Sequence, residues 1–348
     1  MSGDRRANLG WCIASVVLGL VLTALALVAV GADPFECCRV MWNGAFGNSA
    51  KFANVFLTWI PLTLCSVGLL IAFTAGLWNI GVEGQVVMGA IAAAWVARTI
   101  HLPSPVLIPV LFISGMMGGA LWALLAGVLK THGKVHEIFG GLGLNFVATA
   151  FALYLIMGPW KREGIASTSG TAPFGRAAWL PTFSDGLPAG PVEIVLTIIT
   201  LATVHYLLHG TLFGLRLKAT GKNIRSAFWM GIRTNCHALG AFALCGMFAG
   251  TAGAFQAVGV WHRLIPSISG GYGYLAILVV LLSGFQAGAV PFIAFFFSAI
   301  SKGSVALPLD LNLDSSLGGV LQGIMALLFV LSWGVRKRLR RGKAPRVT

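Results

Sequence analysis

The sequence predicts an all-α polytopic membrane protein with about ten transmembrane helices and a Gly-rich broken or re-entrant segment. Three observations predict it. Of the 348 residues, 57% are hydrophobic and only 10% charged, whereas soluble domains carry about 25% charged residues. The apolar residues gather into runs, several of them near the ~20 residues a helix needs to cross a bilayer. The basic residues are unevenly divided between alternate loops, as the positive-inside rule requires.

The runs fall at 11–31, 53–74, 86–97, 106–129, 138–157, 191–208, 237–259, 272–285, 288–307 and 317–334. The third and eighth are the shortest. The first is preceded by Arg5 and Arg6 and ends in Val30, Gly31 and Ala32, which imitates a signal peptide. It is longer than a usual signal core, so a retained span is expected. With both termini cytoplasmic and the spans alternating, 16 of the 24 lysines and arginines lie inside, 7 of them at 336–346. Seven of the ten acids lie outside. The net charge of +14 therefore reports topology and contact with anionic lipid, and no nucleic-acid partner is expected.

The chain reads as one membrane domain, 1–348, with an external loop at 158–190, a cytoplasmic loop at 210–236 and a basic cytoplasmic tail at 335–348. Six cysteines (Cys12, Cys37, Cys38, Cys65, Cys236 and Cys245) show no metal or redox spacing. His205 and His209 are one helical turn apart, but no third ligand is visible, so no metal is expected. Two Gly-rich, polar-spotted stretches echo each other weakly, AGLWNIGVEGQVVMGA at 75–90 and GTAGAFQAVGVWHRLIPSISGGYGY at 250–274. Paired breaks of this kind occur in transporters built from repeats.

In the first stretch Asn79, Glu83 and Gln85 sit among Gly76, Gly81, Gly84 and Gly89. One reading is a cytoplasmic turn between spans two and three. The other is a broken helix lining a translocation path. An unwound segment at membrane depth survives only inside protein or beside water, and an acid among apolar spans is by default a functional residue. The density of glycine in otherwise apolar sequence favours the broken helix. Glu83 would then bond solute hydroxyls or tie the break together.

The loop GTLFGLRLKATGKNIRSAFWMGIRTN, 210–235, carries a second signal. Asn223 suits the N-cap of a short helix over 224–230, and Gly231 suits its stop. Ile224, Ala227 and Phe228 share one face. Such a helix serves either to dock on a soluble partner or to lie in the lipid interface, and local physics alone leaves the two open.

Resemblance separates them. Ala219, Thr220, Gly221, Asn223, Ala227, Gly231 and Ile232 are similar to the coupling loop of bacterial ABC-transporter permeases of the branched-chain amino acid, sugar and nucleoside class. With Gly214 and Phe228 of the same loop, Ala219, Gly221, Asn223, Ala227 and Gly231 are the expected ATPase-coupling residues. NIGVEGQ at 79–85 resembles the nucleoside and simple-sugar branch. HEIFGGLGLNFVA at 136–148, GPWK at 158–161 and SGGYGYLAILVVLLSG at 269–284 resemble the nucleoside permeases and the second-half signature of the class. The likeness spans roughly 50–335. It departs at Lys222, Ile224 and Phe228, where the family often has an acid, a proline and a base, and at His136, where it often has Asn.

The resemblance implies a permease subunit in the bacterial inner membrane, with a cytoplasmic coupling helix. It implies an ATPase partner, an extracytoplasmic solute-binding protein and a second permease chain, related or identical. ATP would be used by the partner. The sequence lacks a G-x-x-x-x-G-K-[ST] loop of its own, and no cofactor is expected on this chain. The expected substrate path comprises Asn79, Glu83, Gln85, Asn145, Gln256, Tyr272 and Tyr274, which offer amides and rings to a small neutral solute such as a nucleoside or a sugar. Asn145 and Gln256 are equally suited to bonding a neighbouring helix, and the tyrosines to interface anchoring. The rival reading is an ion- or proton-coupled transporter in which Glu83 and Glu137 relay protons. An enzyme acting on lipid-linked substrates would need clustered carboxylates, and the ten acids are scattered.

Overall fold

The computed structural model describes residues 31–162, 169–182, 190–311 and 317–320, with isolated positions between 21 and 28, at 164, at 313 and between 322 and 327. The first and last expected spans and the basic tail lie largely or wholly outside the described residues.

Every regular element among the described residues is helical. In chain order they are α1 (Pro34–Phe46), α2 (Ser49–Thr74), α3 (Val82–Thr99), α4 (Ser104–Thr131), α5 (Glu137–Met157), α6 (Pro191–Gly210), α7 (Leu212–Lys222), α8 (Ile224–Trp229), α9 (Thr234–Phe255), α10 (Tyr272–Leu282), α11 (Val290–Gly303) and α12 (Ala306–Leu311). A 3-10 turn at Arg176–Ala178 and a π turn at Gln256–Val260 complete the set.

Six helical stretches are long and apolar enough to cross a membrane: Ser49–Thr74, Ser104–Thr131, Glu137–Met157, Pro191–Gly210, Thr234–Val260 and Val290–Leu311. The chain is thus a multi-pass membrane protein. Eight of the ten expected spans correspond to these six together with the shorter α3 and α10; the other two, 11–31 and 317–334, lie largely outside the described residues. α3 begins at Val82, so the helix extends the short run expected at 86–97 back through Glu83 and Gln85.

The chain divides into two compact units, 56–294 and the two ends, 1–55 with 295–348. In the central unit α3, α4 and α9 pack backbone to backbone. Gly89 meets Gly250, Gly115 and Gly119 meet Gly250 and Gly246, and Gly253 meets Val86. A methyl group at Gly250 would overlap the Gly115 carbonyl, so side chains are excluded from the seam. Lipid tails are as apolar as leucine, so helices in a bilayer associate through this close approach rather than through a hydrophobic driving force. In the terminal unit, Leu27, Cys37, Val40 and Leu307 form a small buried core shared by α1 and α12.

Candidate functional site

Residues 75–81 join α2 to α3; Trp78 is exposed, but the polar side chains of this stretch and of the first turn of α3 are buried. Asn79 and Gln85 are fully buried, and Glu83 is 7% exposed. A solvated turn would leave them in water. The geometry is that of a packed break, in which each polar group must find a partner because none is available from lipid.

Those partners are specific. Asn79 and Gln85 exchange amide bonds: Asn79 Nδ2 donates to Gln85 Oε1 at 3.2 Å, and Gln85 Nε2 donates to Asn79 Oδ1 at 3.0 Å. Asn79 Nδ2 also reaches Cys245 Sγ on α9 at 3.1 Å. Asn145 of α5 accepts from the Gly84 amide at 2.8 Å and donates to the Ile80 carbonyl at 2.9 Å and to Tyr274 Oη at 3.3 Å. Glu83 receives the Gly271 amide on one oxygen at 3.1 Å and the Gly273 amide on the other at 2.8 Å. These are orphan donors at the start of α10, where the helix dipole favours a negative charge. Gly273 must be glycine for the approach, since a methyl there would lie 2.7 Å from Glu83 Cα.

The two Gly-rich stretches that echo each other in sequence are therefore joined in space. Of the seven expected path residues, Asn79, Gln85, Glu83, Asn145 and Tyr274 belong to this bonded network. Gln256 and Tyr272 lie beside it. Gln256 opens the π turn at the end of α9, and such turns frequently mark functional positions. The Tyr272 phenol reaches toward Gln256 and toward Thr58 of α2. Gln256 Nε2 and the Thr58 hydroxyl are buried and meet no partner of good hydrogen-bond geometry.

Thr58, Thr63, Trp122, Cys245 and Glu193 are the residues that sequence reading missed. Thr63 Oγ1, Trp122 Nε1 and one Glu193 oxygen are also buried without a partner. Thr58, Thr63 and Trp122 sit inside apolar runs, and no local signal separates them from ordinary span residues. Glu193 was placed in the outer flank by its position at the start of a span, yet it is buried in the first turn of α6.

The loop at 210–236 forms two helices in place of one. α7 is capped by the Thr211 hydroxyl, which accepts from Gly214 N at 3.1 Å. Asn223 caps α8 as expected, its Oδ1 accepting from Arg225 N at 3.0 Å and Ser226 N at 3.1 Å. Gly231 ends the turn with a φ of +79°, a conformation glycine adopts without strain. The expected docking face is divided. Ala227 is buried against its own chain, whereas Ile224 and Phe228 are exposed. Trp229 and Met230, which the sequence pattern did not single out, are 86% and 75% exposed.

Ala219 is half-buried on α7, and Gly214 packs against Leu208, where a methyl would lie 2.7 Å from its Cα. Gly221 closes α7 against the break itself. A methyl on Gly221 would overlap the Thr74 carbonyl oxygen and lie 3.0 Å from Gly76 N. α7 thus touches the backbone of the turn that leads into Asn79 and Glu83.

The proton-relay reading loses both its acids. Each Glu83 oxygen holds a backbone amide, and Glu137 pairs with Lys130 across the α4–α5 turn. Residues 171–174 pair with 262–264. Thr171 N donates to the Leu264 carbonyl at 2.9 Å, and Phe174 N donates to the His262 carbonyl at 2.8 Å. Beside that pairing, Trp95, Arg98, Trp160 and Phe174 line an open cavity of about 460 Å³. The Arg98 guanidinium sits 5.4 Å from the Trp160 ring centre.

Long apolar helices, a buried network of amides and a carboxylate where α2 passes into α3, and a pair of short helices with exposed aromatics suit a membrane transport subunit. Residues 51–331 match the family described as branched-chain amino acid transport system / permease component, and the chain belongs to that family. It is 28% identical over 344 residues to the glucose ABC transporter permease protein TsgB13 of Haloferax volcanii, covering 96% of this chain and 90% of that one. It is 25% identical over 327 residues to the guanosine ABC transporter permease protein NupP of Bacillus subtilis, covering 92% and 93%. Over 289 residues it is 25% identical to the ribose import permease protein RbsC of Escherichia coli, covering 82% and 81%.

Proposed function

We propose that this chain is the membrane-spanning permease subunit of an ATP-driven importer for a small neutral polar solute, a nucleoside first and a simple sugar second. The observation that carries the solute class is the cluster of Gln256, Thr58 and Tyr272. It offers an amide donor and a hydroxyl without partners of good geometry next to a ring, and it carries no net charge. Unpaired buried polar groups are costly, and a ligand that supplies hydroxyls relieves the cost. The tyrosine ring suits stacking on a planar base. Likeness to NupP over nearly the whole chain supports the nucleoside reading; likeness to TsgB13 supports the sugar as the second.

The chain would work with an ATPase docked on α7 and α8 from the cytoplasm, and ATP would be consumed there. An extracytoplasmic solute-binding protein would deliver the solute. A second permease chain would complete the path; relatives occur in pairs with the same named solute, NupP with NupQ and NupB with NupC. Both termini would be cytoplasmic, in the bacterial inner membrane. In this arrangement Asn79, Gln85, Glu83 and Asn145 hold the break rigid beside the path, while Gln256, Tyr272 and Thr58 meet the solute.

The test is uptake of labelled guanosine, ribose and glucose by cells carrying the complete transporter, with the wild-type chain and with Gln256→Ala. Guanosine uptake that falls at least tenfold in the variant, with the chain still in the membrane, is expected if Gln256 contributes about 1.5 kcal/mol of solute contact. Uptake of glucose alone in the wild type would transfer the assignment to the sugar. Uptake driven by a sodium or proton gradient without an ATPase would end the importer reading.

A further inference from the structure

The unit formed by the chain ends holds a feature that the transport reading does not use. Lys51 in the first turn of α2 and Lys302 in the last turn of α11 line one cavity of about 330 Å³, together with Asn54, Val305, Leu309 and Asp310. Lys51 Nζ donates one of its three N–H groups to the Asn43 carbonyl at 3.2 Å. Lys302 is half-buried, and the ion pairs among the described residues are Arg39–Glu36 and Lys130–Glu137, neither of which involves it. Asp310 shares the cavity without forming an ion pair to either lysine. Two ammonium groups against one carboxylate leave the lining with a net charge of +1.

Val305 and Leu309 are largely exposed on the rim, within the stretch Val290–Leu311 that is long and apolar enough to cross a membrane. A charge held in such a place is unfavourable unless a counter-charge comes with it. The occupant must therefore bring one negative charge to the lysines and apolar chains to the rim. Lysine is a point charge that suits a phosphate oxygen better than a planar fork would.

We propose that this cavity binds the headgroup of an anionic glycerophospholipid of the phosphatidylglycerol type. Its phosphodiester lies between Lys51 and Lys302, its glycerol hydroxyls face Asp310 and Asn54, and its acyl chains run over Val305 and Leu309. The site is a lipid site and is separate from the Glu83 network in sequence and in compact unit.

The test uses the full chain in nanodiscs of phosphatidylcholine with a minor fraction of phosphatidylglycerol. The first measurement is made on the wild type: acetylation of Lys302 by an amine-reactive reagent, read by peptide mass spectrometry. It should be roughly tenfold slower with phosphatidylglycerol present than in phosphatidylcholine alone. The second is lipid retention in native mass spectrometry. Phosphatidylglycerol should remain on the wild type and on the Lys51→Arg/Lys302→Arg variant, and should be lost from Lys51→Ala/Lys302→Ala. Equal acetylation in both discs, or full retention by the alanine variant, would overturn the proposal. Protection of Lys302 by inorganic phosphate to the same degree as by phosphatidylglycerol would also overturn it, because the site would then be one for a free anion.

Discussion

The break at 75–85 and the loop at 210–235 are both Gly-rich interruptions between apolar helices, and they resolve their polar and apolar groups in opposite ways. At the break, amides and a carboxylate are drawn inside and nearly every donor is spoken for: Asn79 with Gln85, Asn145 with Gly84, Glu83 with Gly271 and Gly273. In the loop, Ile224, Phe228, Trp229 and Met230 are exposed. A buried polar network that is satisfied internally stabilises one conformation. A row of exposed apolar side chains beside lysines and arginines is stable only in part, and it marks a surface that another molecule completes. The two regions meet at Gly221 and Gly76, where backbones touch.

Five substitutions break or sharpen this contrast. Glu83→Ala should have the largest effect. It leaves the Gly271 and Gly273 amides buried without acceptors, at about 1–3 kcal/mol each. The thermal transition in detergent should fall clearly, and uptake should be lost. Glu83→Gln retains one acceptor oxygen; wild-type stability and uptake in that variant would show that the charge itself is dispensable. Gly221→Val should come next. Its side chain must displace Thr74 and Gly76, an overpacking cost of about 1–3 kcal/mol, and copurification of an ATPase with the tagged chain should drop together with uptake. Uptake that survives with the ATPase still bound would separate the loop from the break.

Asn79→Ala should cost about 1–2 kcal/mol, because it removes one amide bond pair and leaves Gln85 buried without its partner. Thermal stability should fall while ATPase copurification persists. Trp229→Ala should barely move stability, within about 0.5 kcal/mol for an exposed side chain. Pull-down of the ATPase should nevertheless weaken. An unchanged pull-down would place Trp229 in the lipid interface and remove it from the docking surface.

Much of the local structure was legible in the residues. Asn223 has the short side chain an N-cap needs and Gly231 the freedom a helix stop needs, and both act within a few residues of themselves. The limits of α5, α6 and α10 follow the apolar runs closely for the same reason. The site was legible only in outline. The polar residues of 79–85 stand out against their neighbours, but that Glu83 would cap α10, some 190 positions away, has no local signature. Ala227 shows the converse. Its helical spacing puts it on one face with Ile224 and Phe228, but only the packed structure shows that it is buried while they are exposed.

Composition and run length, both properties of the chain taken in order, determined that this protein is helical and membrane-spanning, because lipid imposes helix wherever an apolar backbone must satisfy itself. The tertiary structure decided which glycines carry the α3–α4–α9 seam, which amide meets which carboxylate, and that Thr58 and Gln256 keep unpartnered groups beside Tyr272. Those choices depend on contacts between helices far apart in sequence, and a hydrogen bond or a backbone contact between two such helices exists only once both are packed.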